Sequence, residues 1–150
     1  MTKTTGVARN KTLNMPCAAE AIVEGYVYML SSGNMTVCTN VDSKAYGVAA
    51  QSSMDWELNT ARTMVAGENW QFYPLGCEEI VNVASLITLT WLPGAKVYLD
   101  QTASANGMVS TDSSNTATVI GHYKGPTRTT LTAGELIQVI LDTPSIEAST

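Results

Sequence analysis

Charge is scarce in this 150-residue chain: charged side chains make up 14% of it, and they are unevenly spread. Residues 1–16 hold Lys3, Arg9 and Lys11 and no acid, while residues 17–150 hold five positive and thirteen negative side chains. An acidic body argues against nucleic-acid binding, which needs clustered Lys and Arg. Cysteine is limited to Cys17, Cys38 and Cys77, an odd number without the C-x-x-C spacing of a metal or redox site. That usage suits a reducing cytoplasm better than a disulfide framework. No long apolar run exists either. Residues 80–92 are interrupted by Asn82, Ser85, Thr88 and Thr90 and are too short to span a bilayer. Residues 1–14 are polar and lack the apolar core of a signal peptide. No membrane association is expected. Phosphate-cradling glycine loops are also missing.

What the chain does have is β-branched and hydroxylated residues, 20 Thr and 12 Ser among them. Thr suits a pleated, half-exposed surface better than a helix. At this length one domain can bury roughly two-thirds of its unfolded surface. Composition therefore favours a single compact all-β domain.

The glycines then show a phrase used twice. Residues 25–49 read Gly25-Tyr-Val-Tyr28, then Gly33-Asn-Met-Thr-Val, then Ala45-Tyr-Gly47-Val48. Residues 94–123 read Gly94-Ala-Lys-Val-Tyr98, then Gly107-Met-Val, then Thr118-Val-Ile-Gly121-His122. Gly25 matches Gly94, Tyr28 matches Tyr98, Gly33 matches Gly107 and Gly47 matches Gly121, with an offset drifting from 69 to 74 residues. Each copy is a turn, a strand, a second turn, a short strand and a glycine-broken strand, giving two related hairpin units. Strands are expected at residues 26–30, 35–39, 44–50, 69–73, 87–91 and 135–141. The last is too continuously apolar for an edge and reads as the central strand that closes the barrel. Residues 51–62 read either as a short helix capped by Ser53, with Glu57 near a capping-box position, or as a loop. The organisation expected is an extended arm at 1–16, a β domain at 17–142 and a tail at 143–150.

Candidate chemistry is thin. The single histidine, His122, stands where the first copy has Val48, so an ordinary strand residue suffices there. Cys77 is followed by Glu78 and Glu79, whose charge would raise a thiol pKa rather than activate it. The carboxylates Asp55, Glu57, Glu68, Asp100 and Asp112 are scattered without a spacing that argues for an acid/base pair. Asp112–Asn115 echoes a calcium loop only faintly and reads as a turn. No catalytic, cofactor-binding or metal-binding residue is assigned, and no enzyme is expected. Trp56, Trp70, Tyr73 and Trp91, with Phe72, sit in or beside strand patterns. They suit core packing or a subunit interface, and secondarily a sugar platform.

The order Gly-x-x-Val-Tyr-Leu-Asp, Asn-Gly-Met-Val and Thr-Val-Ile-Gly at 94–121, closing with Gly134-Glu-Leu-Ile-Gln-Val-Ile-Leu141, carries a resemblance. It resembles the capsid decoration (cement) proteins of tailed viruses, related in architecture to the head-stabilising protein of phage lambda. Residues 18–25, 45–49 and 66–67 fit the upstream family pattern, so the resemblance covers about residues 13–141. It implies a β-tulip or barrel-like subunit that forms a homotrimer on the outside of an icosahedral shell and clamps the major capsid protein. It implies a virion location after synthesis in the host cytoplasm. It also implies an N-terminal arm lying on the shell, with Lys3, Arg9 and Lys11 supplying charge and Thr4, Thr5, Val7 and Thr12 the extended conformation. The other classes kept open are a carbohydrate- or receptor-binding surface module and a tail-tube or baseplate subunit.

Overall fold

The computed structural model describes residues 12–39, 44–86, 90–99, 106–111, 118–129 and 132–146. Among these residues there is no helix. The strands are β1 (Leu13–Pro16), β2 (Val27–Ser31), β3 (Asn34–Val37), β4 (Ala45–Ala49), β5 (Met54–Asp55), β6 (Thr60–Ala61) and β7 (Asn69–Pro74). The second half supplies β8 (Ile80–Ser85), β9 (Lys96–Leu99), β10 (Val109–Ser110), β11 (Thr118–Tyr123) and β12 (Glu135–Ile146). The chain is all-β.

The repeat in the sequence is half of a larger one. Strands β1-β7-β4-β2-β3 form one sheet, and β10-β8-β12-β11-β9 form a closed barrel. Matching β1 to β8, β2 to β9, β3 to β10, β4 to β11 and β7 to β12 makes the two strand orders the same. The registers agree residue by residue. Ala49 faces Phe72 and Val48 faces Tyr73 in the first module, while Tyr123 faces Val139 and His122 faces Ile140 in the second. The barrel closes through a parallel pair, Val109 with Ser85, and the first module has the same closure as a parallel bridge from Cys17 to Met35.

The connecting hydrogen bonds repeat as well. Gly25 N donates to Ala49 O at 3.1 Å, and Gly94 N to Tyr123 O at 2.9 Å. Gly67 N donates to Cys17 O at 2.8 Å, and Gly134 N to Ser85 O at 2.9 Å. Even the β-bulge recurs: β2 and β4 shift register between Tyr28 and Met29, and β9 and β11 between Val119 and Gly121, which makes Tyr46 and Ile120 the extra residues. The hydrogen bonding corrects one match. Tyr28 pairs with Gly47 and Val97 pairs with Gly121, so the structural counterpart of Tyr28 is Val97 and not Tyr98.

Glycine is required at the bulge for a packing reason. A Cβ on Gly47 would stand 2.9 Å from the Tyr73 carbonyl oxygen, and one on Gly121 would collide with that of Ile140. In each module the bulged strand lies too close to its neighbour for any side chain.

Each module has its own interior. Ile22, Tyr28, Met35, Ala49, Met64 and Phe72 fill the first, with Tyr28 and Phe72 edge-to-face at 5.3 Å. Val83, Val97, Val109, Tyr123, Ile137 and Val139 fill the second together with Trp91. The second interior does not stop at the module boundary. Val27, Cys38 and Val48, on the outer face of the first sheet, belong to the same buried cluster. Val27 N also donates to Gly107 O at 2.7 Å, and Gly107 N to Cys38 O at 3.0 Å. The outer face of the first sheet is therefore part of the second module's core, while the first interior stays separate.

Several elements differ from expectation. Residues 51–62 form neither helix nor plain loop. They hold the β5–β6 hairpin, inserted in the first module between β4 and β7, with no counterpart strand pair among the described residues of the second. Leu13–Pro16, placed in the arm by composition, is strand β1 paired to β7. Strand β8 was hidden in the mixed run 80–92, and β12 continues to Ile146 beyond the expected start of the tail. It lies between β8 and β11, away from any edge as expected, but the barrel closes through β8 and β10 and not through this strand. Of the strand expected at 87–91, residues 87–89 lie outside the described residues; Trp91 makes an isolated bridge with Arg128.

Candidate functional site

Interaction surfaces are the only sites the sequence nominates, and the structure sorts their residues sharply. Lys3, Thr4, Thr5, Val7, Arg9 and Lys11 lie outside the described residues. Thr12 is described, half-buried, immediately before β1.

The four aromatics part company. Trp91 is fully buried, its ring tilted against Tyr123 at 5.7 Å and its indole N–H donating to Ser85 Oγ at 2.8 Å. It is core and offers nothing to a partner surface, which corrects its place among the interface aromatics. The alternation that nominated it reflects burial inside the barrel. Tyr73 is half-buried against the second module's core. Trp70 packs on the first interior and donates its indole N–H to Gln51 O at 2.8 Å.

Trp56 is the one presented to solvent, at 76% exposure, with Leu58 beside it at 71%. Both stand in the β5–β6 turn, whose shape is fixed locally. The Asp55 carboxylate accepts from the backbone N–H groups of Glu57 at 3.1 Å and Leu58 at 3.2 Å, and Asn59 takes a positive φ of 54°. The base of the hairpin is pinned by Ser53. That buried hydroxyl donates to Arg62 O at 2.5 Å and accepts from Ile22 N at 2.9 Å. The result is a hydrogen-bonded hairpin whose tip presents Trp56 and Leu58 on either side of an exposed Glu57. Asp55 and Asn59 flanking Trp56-Glu57-Leu58 are the sequence signal for this turn.

Chemical groups are sparse around these surfaces. His122 Nδ1 meets Asp142 Oδ2 across β11 and β12, a contact that ties the two strands beside the bulge. A hydrolytic dyad would add a nucleophile on the other ring nitrogen, and no hydrogen bond to it is present among the described residues. Arg62 forms a fork on Glu68, at 3.0 and 3.1 Å, and this bond holds the Glu68 carboxyl below its ordinary range. The second module repeats the pair as Arg128 with Glu135. Arg128 also donates to Leu136 O at 3.1 Å. It lines a shallow cleft of about 360 Å³ with Tyr123, Gly125, Pro126, Leu136 and Gln138. With its guanidinium so engaged, that cleft offers no spare cation to an anionic ligand.

Cys17, Cys38 and Cys77 form no disulfide. Burial pushes Cys17 up to about 11 and Cys38 up to about 12, so neither is a nucleophile at neutral pH. Among the described residues no group of three His, Cys, Asp or Glu side chains could hold a metal ion.

No protein-family model, curated protein or solved structure matches this chain. The chain's own features are a duplicated β framework, a hairpin tip presenting Trp56 and Leu58, and a basic segment leading into an edge strand.

Proposed function

We propose that the chain is a capsid decoration protein, a cement subunit that binds the outside of an assembled icosahedral shell as a homotrimer and steadies it. One observation carries this reading. The glycine-centred phrases behind the family resemblance are the framework of both modules: Gly25 and Gly94 precede β2 and β9, Gly47 and Gly121 sit at the two bulges, and Gly134 opens β12. Further support comes from the hairpin tip, where Trp56 and Leu58 suit anchoring on a broad protein surface.

The partner is the major capsid protein. In this reading the segment carrying Lys3, Thr4, Thr5, Val7, Arg9, Lys11 and Thr12 lies along the shell and extends a coat-protein sheet by strand addition. Three weak contacts held in one trimer bind with avidity that none has alone. The protein works at the outer capsid surface after synthesis in the host cytoplasm, without a cofactor. The test is co-sedimentation with expanded shells and with isolated coat monomers. Binding to the shells alone is expected, and a monomer that ignores shells overturns the reading.

A second reading is favoured by Trp56 itself, an indole free to stack on a sugar. Glycan binding abolished by Trp56→Ala would support it over the first.

A further inference from the structure

The two modules place the same positions in different surroundings. In the second module Val81, Leu99 and Ile120 are 5%, 2% and 0% exposed. Val27, Cys38 and Val48, on the outer sheet face of the first module, belong to the same buried cluster, and Met29, Ala45 and Tyr73 pack against it. The strand registers equate these three positions with Leu13, Leu30 and Tyr46. Those side chains are apolar again, yet they are 42%, 43% and 39% exposed.

A covering face of the right kind exists on the second module. The same registers equate Met29 with Tyr98, Ala45 with Val119 and Tyr73 with Ile140, so three covering positions remain apolar. Val27 and Val48 are replaced by Lys96 and His122, a polar admixture that suits a contact between separately folded chains, and the counterpart of Cys38, Asp112, lies outside the described residues. Tyr98 and Val119 already form a small buried cluster. The part of this face still open is Ile140 with the His122–Asp142 pair around it.

We propose that Leu13, Leu30 and Tyr46 of one chain dock on the outer β9–β11–β12 face of a second copy, centred on Ile140. The contact between chains then repeats the contact that joins the two modules within a chain. This rests on the trimer in the proposed function and assigns its interface. Such a contact is heterologous, one patch meeting a different patch, so it propagates until a ring closes. A closed trimer would contain six modules related head to tail.

The experiment is light-scattering mass measurement of the full chain and two variants, with unfolding midpoints recorded for each. Leu30→Glu and Ile140→Glu should each be folded and monomeric, with the association constant reduced at least tenfold. Leu13→Glu replaces Leu30→Glu should the latter unfold. An equimolar mixture of the two variants should form dimers, because each supplies the patch the other lacks. A monomeric wild-type chain, folded variants that remain trimers, or a mixture that stays monomeric would each overturn the contact. Shell binding is scored separately. Trimers indifferent to both substitutions that still bind shells remove this interface and leave the decoration reading standing. Trimers that assemble as described and ignore shells do the reverse.

Discussion

Gly121 on β11 faces the backbone carbonyl of Ile140 on β12 so closely that no side chain fits between them. The clash is with backbone and not with a side chain that could swing away. Gly121→Ala is therefore expected to destabilise by overpacking, by about 1–3 kcal/mol. Gly33 is the control: it has a φ of +81° and open space around it. Gly33→Ala should cost about 1 kcal/mol from the left-handed backbone alone. Urea denaturation of the two variants measures the difference.

Trp91 and Trp56 should behave as opposites. Ser85→Ala strands the buried indole N–H of Trp91 without an acceptor, at a cost of about 1–3 kcal/mol. Trp56→Ala, at a solvent-facing turn, should change stability by no more than about 0.5 kcal/mol while weakening attachment to shells. Thermal unfolding and shell co-sedimentation of the same two variants separate the roles.

Thiol titration reads the burial directly. With Cys17 pushed up to about 11 and Cys38 to about 12 by burial, a disulfide reagent at pH 8 should label only the half-buried Cys77 in the folded protein. All three should react in denaturant. Rapid labelling of three thiols under native conditions would contradict the packing of both interiors.

The Arg62–Glu68 fork makes a pH prediction. Its hydrogen bond lowers the folded-state Glu68 pKa, so its stabilisation is present above the ordinary glutamate value of about 4.3. That stabilisation is lost as pH falls through the depressed folded value. Glu68→Gln should melt below the wild type at pH 7, and the gap should close as pH drops into the acid range. Melting temperatures between pH 7 and pH 3 provide the check.

How far the sequence could be read follows from which residues carry local signals. The turn-strand phrases at 25–49 and 94–123 were legible because Gly25, Gly94, Gly47 and Gly121 answer backbone constraints that recur in each module. The rest of the duplication was not. Strands β7 and β12 share Gly67-Glu68 and Gly134-Glu135 at their starts, but Trp70, Phe72 and Tyr73 face Ile137, Val139 and Ile140 in the alignment. Aromatic and aliphatic fillings of equivalent interiors leave no common letters. Matching Tyr28 to Tyr98 followed letter identity, whereas the bulge sets the true register one residue away. Leu13, Leu30 and Tyr46 gave no signal, because their exposure is decided by what the other module covers. Trp91 likewise differs from Trp56 only in three dimensions.

The most direct test of the proposed decoration role is cryo-electron microscopy of expanded shells of the virus to which this reading assigns the chain, incubated with the purified full chain. The expected image shows trimers at three-fold and quasi-three-fold positions on the outer surface, with residues 1–11 along coat subunits and the Trp56 hairpin against the shell. Bare shells after incubation with folded protein would contradict the role.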